Sequence, residues 1–228
     1  MKFGVIIAAR TGSARLPGKV LMPLLGMEVL RLVIRRLKTS KYCNHFALAT
    51  TNNSEDTILF DIAKEEGIKV FRGNQENVLK RFVNASDAAF PSDIGHIVRV
   101  TADCPLVGGD TLDIVLKKCL EISEFDLVTT KPYFHHGLDY EVYNRSLLKH
   151  IELQKNVTNE EKEHILNYIY NREDLYKVQR ISPPKYLIQQ GRSFTLDSKE
   201  DYVFFQNFLK NVTDYDVHAK KLLELVSL

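Results

Sequence analysis

Residues 6 to 21, IIAARTGSARLPGKVL, gather three cations, Arg10, Arg15 and Lys19, around two glycines in a loop behind an apolar run. Backbone N–H groups and fixed positive charge in such a loop suit a phosphate-rich ligand. The spacing departs from the G-x4-G-K-S/T phosphate loop, because five residues separate Gly12 from Gly18 and Val20 stands where that loop has a magnesium-binding hydroxyl. A metal ion on a polyphosphate here needs oxygen ligands from elsewhere, and carboxylates at strand ends are the usual source. Asp103 in VTADCPL and Asp197 in FTLDSKEDY are the candidates. Each also has a simpler reading, as a turn aspartate before Pro105 and as an acid at a helix N-terminus beside a Ser198 cap. His135 and His136 are adjacent and so point apart on extended chain, with no third ligand at a suitable spacing for zinc. Cys104 reads as a small buried residue, since no histidine is placed in sequence to activate it.

The elements that must position these residues alternate. FGVIIAA (3–9) is a strand buried on both faces, and Leu30, Val33, Ile34 and Leu37 then recur with helical spacing. Strands at 45–50, 69–71, 96–100 and 126–129 alternate with helices at 54–66, 76–90 and 110–121. This pattern predicts an α/β fold, a mostly parallel sheet with helices on both faces and right-handed crossovers. Ligands of such sheets bind at the carboxyl ends of the strands, which selects loops 9–22, 51–53, 72–76, 101–109 and 130–140. From residue 130 the rhythm changes, and KPYFHHGLDYEVYNRS leads to helices expected at 145–155 and 159–172, the second opened by a Thr158/Glu161 capping box. This segment reads as an insertion over the sheet's C-terminal edge. Strands near 177–181 and 193–196 and helices at 199–209 and 214–227 are expected to finish a single domain spanning 1–228.

Composition narrows the classes further. The chain of 228 residues is 44% hydrophobic and 26% charged, enough for one large globular domain. No window approaches the roughly 18 apolar residues of a membrane span, and the N-terminus lacks a cleavage site, so a cytoplasmic protein with no membrane partner is expected. Three cysteines without close pairing predict neither a disulfide framework nor a CxxC zinc site. Residues 1–38 hold eight basic side chains against one acid, +7, while the other 190 residues hold 23 basic and 28 acidic, −5. Arg31, Arg35, Arg36 and Lys38 have helical spacing and read as a solvated face, which leaves the excess charge in the glycine loop. With no basic stripe elsewhere, nucleic acid is not an expected partner.

Taken in order, IIAARTGSARLPGKVL, RVTADCPLV, HHGLDYEV, EKEHI and TLDSKEDY strongly resemble the cytidylyltransferases that activate sugars as CMP derivatives. The resemblance is nearest to the branch named for spore coat polysaccharide biosynthesis, with acylneuraminate and 3-deoxy-manno-octulosonate cytidylyltransferases as more distant relatives. It implies a Rossmann-like nucleotide-diphospho-sugar transferase fold, CTP as substrate, magnesium as cofactor, a sugar acceptor and release of pyrophosphate. Residue by residue, it implies nucleotide contacts from Ala8, Ala9, Arg10, Thr11, Gly12, Ser13, Arg15, Lys19, Arg72, Gly73, Asn74, Val78, Thr101 and Ala102, and a metal on Asp103 and Asp197. Arg15, Lys19 and Asp103 would act in catalysis. The acceptor pocket would fall on His136, Gly137, Asp139, Glu141, Glu163 and His164, with Asp139 and Glu141 hydrogen-bonding sugar hydroxyls. Relatives commonly dimerise through the insertion, so 130–175 is the expected interface of a homodimer. The chain departs from the family at Asn77, where an acid is usual, and at Leu166.

Overall fold

The N-terminal apolar run becomes β1 (Phe3–Ala8), buried along all but its last residue. A short hairpin of β2 (Pro23–Leu24) and β3 (Met27–Glu28) follows the first loop. In the computed structural model, which describes residues 1–188 and 191–225, β1 lies inside a seven-stranded sheet. It pairs in parallel with β4 (Phe46–Thr51) and with β6 (His96–Thr101), and β5 (Lys69–Gly73) extends the β4 side. Beyond β6, β8 (Glu141–Asn144) runs antiparallel between β6 and β7 (Leu127–Thr129), and β9 (Val178–Arg180) pairs in parallel with β7. The strand order is therefore β5-β4-β1-β6-β8-β7-β9, with β8 reversed among parallel neighbours.

Side-chain alternation along these strands feeds two cores. Val5, Ile7, Leu48, Val98 and Val128 face a layer holding α1 (Val29–Leu37), α2 (Thr57–Glu65), α4 (Gly109–Glu121), α8 (Lys199–Phe208) and α9 (Ala219–Glu224). Ile6, Ala47, Ile97 and Tyr143 face the other layer, with α3 (Val78–Ala89), α5 (Arg145–Glu152) and the stretch holding α6 (Asn159–Glu163) and α7 (Asn167–Tyr170). On α1 the predicted stripe of Leu30, Val33, Ile34 and Leu37 is wholly buried, each side chain contributing about 1.5–3 kcal/mol. Among the described residues no helix is long and apolar enough to cross a membrane.

Several expectations are corrected. The basic side of α1 is not a solvated face: Arg31 and Arg35 converge on Glu66, and Arg36 is 3% exposed. Its guanidinium donates to the carbonyls of Leu106, Val107, Tyr215 and Val217, tying the start of α4 to the C-terminal segment. The segment after 130 does more than cover an edge, because it inserts β8 into the sheet. The expected 159–172 helix is interrupted. Its Thr158/Glu161 capping box forms, but His164 leaves helical conformation, and Ile165 and Leu166 turn into the core before α7. No strand forms at 193–196. Phe194 N–H donates to the His136 carbonyl and Leu196 N–H to the Asp103 carbonyl, so this extended segment is stitched to two loops instead of a ladder. The last helix shrinks to α9, and residues 226–228 lie outside the described residues.

The α1–α4 contact yields a test. A Cβ on Gly109, at the start of α4, would come within 2.2 Å of the Ser40 backbone nitrogen. Gly109→Ala is expected to cost about 1–3 kcal/mol of stability, read by urea denaturation, because backbone cannot yield as a side-chain tip can.

Candidate functional site

The first loop is folded by a residue the sequence did not announce. Asp56, fully buried, accepts the Thr11 N–H and the Thr11 hydroxyl, both at 2.7 Å, and the Thr51 hydroxyl. The Thr11 carbonyl in turn accepts the N–H groups of Ser13 and Gly18, each at 2.8 Å. Three N–H donors expected to face a phosphate are thus engaged inside the loop. Nor does the loop open a helix. Gly18, at φ 70°, turns the chain into a 3-10 turn, Lys19–Leu21, and the hairpin intervenes before α1. Positive charge at the site therefore comes from side chains rather than from a helix N-terminus. Val20 is buried in the core.

Lys19 is the hinge of the arrangement. Its Nζ donates to Asp103 Oδ2 at 2.6 Å and to Asp197 Oδ1 at 2.8 Å. Asp103 sits two residues beyond β6. Asp197 is delivered by the extended segment, in which Phe194 and Leu196 enter the core while Thr195 and Asp197 face outward. Arg15 adds a contact to Asp197 Oδ1 at 3.0 Å, and the Thr195 hydroxyl donates to Oδ2 at 3.0 Å. Burial alone would lower the Lys19 pKa, but the charges of Asp103 and Asp197 and the hydrogen bonds to them outweigh it and hold it above the ordinary lysine value. Burial would likewise raise Asp197, and its bond to Lys19 overrides this to hold it below 3.8.

Two clefts meet at this pair. One, of about 390 Å3, takes its walls from Ala8, Ala9, Arg10, Ser13, Val78 and Ala102, among others, and also reaches Glu163 and His164. The other, of about 260 Å3, is lined by His136, Asp139, Glu141, Lys131, Cys104 and Thr195, among others. Arg15, Arg99, Thr101, Asp103 and Asp197 line both. A further cavity of about 440 Å3, beside Cys43, His45 and Phe90, lies toward the opposite end of the strands and gathers no comparable set of charges.

The structure brings most of the sequence-predicted residues together, and moves some. Thr11 and Gly12 lie outside the cleft linings, Thr11 bonded to Asp56 and Gly12 packed near Glu55. Arg72 is turned away, donating to the carbonyls of Thr51 and Asn53. Gly73 is buried, leaving room for the Arg81 stem, and Asn74 borders a separate polar pocket with Arg10, Asn77 and Glu163. Asn77 caps α3 by accepting from Lys80 N–H, a role an acid would fill equally well. Glu163 and His164, expected with the acceptor residues, line the first cleft instead, and Glu163 lies 4.0 Å from Arg10. Gly137, at φ 90°, shapes the His136–Asp139 turn against the Phe194 backbone, where a Cβ would come within 2.5 Å, and its N–H donates to Asp139. His136 bonds Ser193 at 2.9 Å, while the His135 ring packs on Phe194.

Glu141 is 3% exposed, and both its oxygens are occupied: Arg99 on one, Lys131 and the Tyr170 hydroxyl on the other. Burial would raise its pKa, but the charges of Arg99 and Lys131 hold it below the ordinary glutamate value. It therefore fixes Arg99 and Lys131 at the second cleft rather than offering a free carboxylate. Sequence reasoning missed Asp56, Arg81, Arg99 and Lys131. For Arg99 a signal existed, a lone charge inside the apolar strand HIVRV. The three cysteines are free, and burial raises the Cys104 thiol well above its ordinary range, which suits packing rather than nucleophilic work.

The carboxylate pair has the chemistry of a metal site. Two hard anionic groups already converge on one cation, the Lys19 ammonium, and so supply the donor chemistry that a divalent ion takes. Among the described residues no cluster of three or more His, Cys, Asp or Glu forms, so further ligands would come from phosphate oxygens and water.

Residues 4–226 match the family described as cytidylyltransferase. The chain is similar to the spore coat polysaccharide biosynthesis protein SpsF of Bacillus subtilis, 33% identical over 228 residues that cover 97% of this chain and 92% of the relative. It is 34% identical over 227 residues to an uncharacterized Methanocaldococcus jannaschii protein, MJ1063, covering 99% of this chain and 90% of the relative. A solved cytidylyltransferase from Leptospira borgpetersenii superposes with a TM-score of 0.90 at 28% identity, covering all of this chain and 94% of that one.

The ion cluster carries a pH signature. Because the folded state depresses the Asp197 pKa, its stabilisation is full above the unfolded carboxylate range and vanishes as pH falls through the folded value, below 3.8. Wild type should therefore melt higher than Asp197→Asn at neutral pH, with the gap closing below about pH 4. A gap unchanged down to pH 3 would mean that Asp197 is not held by Lys19.

Proposed function

Because the chain belongs to the cytidylyltransferase family, a family of nucleotidyltransferases, we propose that it joins CMP from CTP to a sugar hydroxyl and releases pyrophosphate. The product would serve surface polysaccharide or glycan synthesis, as the name of the Bacillus relative suggests for that protein. The observation that carries the reading is the Asp103–Asp197 pair on the wall shared by two clefts. CTP occupies the first and the acceptor the second, so that the α-phosphorus and the attacking hydroxyl meet beside Asp103. The hydroxyl oxygen bonds to the α-phosphorus in line as the bond to the pyrophosphate oxygen breaks, and the hydroxyl proton leaves to solvent.

The residues of this chain supply position and charge. Arg10, Arg15 and Lys19 hold the triphosphate, and Arg15 and Lys19 stay with the departing pyrophosphate. Lys19 gives up the carboxylate pair as it does so. Asp103 and Asp197 would hold the divalent ion, magnesium, which would neutralise charge on the phosphates. Ser13, Thr101 and Ala102 line the nucleotide path. In the acceptor cleft Arg99 and Lys131 suit the carboxylate of an ulosonic or nonulosonic sugar, and His136 and Asp139 its hydroxyls. Pairing of two cytoplasmic copies through 130–175 belongs to the same proposal, supported by the exposed apolar side chains of Tyr133, Leu153 and Leu175.

The test is pyrophosphate release from CTP and magnesium with a panel of acidic and neutral sugars. Wild type turns over with at least one acidic acceptor, and Asp103→Asn loses on the order of 100-fold or more. Full turnover by the Asp103→Asn protein would remove the metal assignment, and turnover with a phosphonate or polyol phosphate alone would replace the acceptor class.

A further inference from the structure

Away from the carboxylate pair the nucleotide cleft changes character. On the side where α3 packs against β5, β4 and β1, its walls include Ala8, Ala9 and Val78, and Arg81 joins them from α3. Arg81 is 4% exposed, and among the described residues it forms no salt bridge. Its hydrogen bonds, to the carbonyls of Asn74 and Gln75 at 2.8 and 3.2 Å, both leave from Nη1. Nε is buried with no partner, so the Nε–Nη2 edge is unused in the free protein. Burial and the charge of Arg10 push its pKa down to about 10, which still leaves a cation at neutral pH. Burying an unpaired guanidinium is costly, and a ligand offering acceptors to the unused edge would offset that cost. The chain makes room for the Arg81 stem, since a Cβ on Gly73 would press to 3.0 Å from Arg81 Cγ.

We propose that Arg81 reads the pyrimidine of the nucleotide, its Nε–Nη2 edge donating to two adjacent ring acceptors, N3 and O2 of cytosine. The inference rests on the cytidylyltransferase reading and deepens it. A guanidinium edge presents two parallel donors, and cytosine presents two neighbouring acceptors to match them. Uracil carries a hydrogen on N3, so the same edge would set donor against donor. Apolar Ala8, Ala9 and Val78 suit the faces of a ring. Arg72, held on the Thr51 and Asn53 carbonyls, is already committed elsewhere.

The experiment compares CMP and UMP binding by calorimetry for wild type and Arg81→Lys, which keeps a cation able to reach the Asn74 carbonyl but loses the paired donors. Wild type should prefer CMP by about tenfold or more, and Arg81→Lys should lose most of that preference while UMP affinity changes little. An unchanged preference, or equal losses for CMP and UMP, would overturn the assignment. If the variant does not fold, the Arg81 Nε–H resonance of wild type gives the answer. It should shift on adding CMP and not on adding ribose 5-phosphate, and no shift with CMP overturns the proposal. A wild type that binds neither CMP nor CTP would instead defeat the cytidylyltransferase reading itself.

Discussion

Two aspartates from distant parts of the chain stand close together with a lysine ammonium between their carboxylates. Lys19 comes from the loop after β1, Asp103 from the loop after β6, and Asp197 from an extended segment near the C-terminus. Without the cation the carboxylates would repel and the three segments would have weaker reason to meet. The side chains are one tenth to one quarter exposed, so the cluster is screened in part and remains open to exchange. That balance suits a site in which one cation must give way to another. On the proposed function, the free protein holds with its own lysine the two carboxylates that would take the metal ion.

Two charges away from this cluster, Glu141 and Arg36, are buried more deeply. Glu141 on β8 locks Arg99 and Lys131, and Arg36 bonds four backbone carbonyls across the molecule. Buried ion pairs are weak evidence for stability, since desolvation opposes their attraction. Their consequence here is positional. β8 runs against its neighbours, and that reversal sets Glu141 directly opposite Arg99 at the seam between the clefts. Asp56 does the same for the first loop by accepting from Thr11 and Thr51.

Much of this is legible in the sequence. Continuous apolar runs and 3.6-residue stripes found β1, β4, β6 and helices α1 to α4, because burial on one or both faces leaves a period in the residues themselves. Asp103 and Asp197 stand out in the sequence because Val20 offers no oxygen to a metal. What was illegible depended on partners distant in sequence. The 193–196 segment has strand alternation because Phe194 and Leu196 face the core, yet its hydrogen bonds go to loops. Arg36 looks solvated on a helical wheel, and nothing local reveals the carbonyls that receive it. Glu163 and His164 line the first cleft because the chain breaks at His164, a break set by burial of Ile165 and Leu166. Arg72 and Arg81 are nearly neighbours in sequence, and only packing decides which of them turns into the cleft.

The most direct measurement of the central claim is the melting temperature of the purified protein with magnesium alone, with CTP alone and with both, alongside UTP, ATP and GTP. A ligand that binds only the folded state must raise it. If Lys19 holds the carboxylate pair until a metal–nucleotide complex replaces it, magnesium alone should do little, and magnesium with CTP should raise the melting temperature by more than the two separate shifts together. Equal shifts with CTP whether or not magnesium is present, or a larger shift with another nucleotide, would contradict the account.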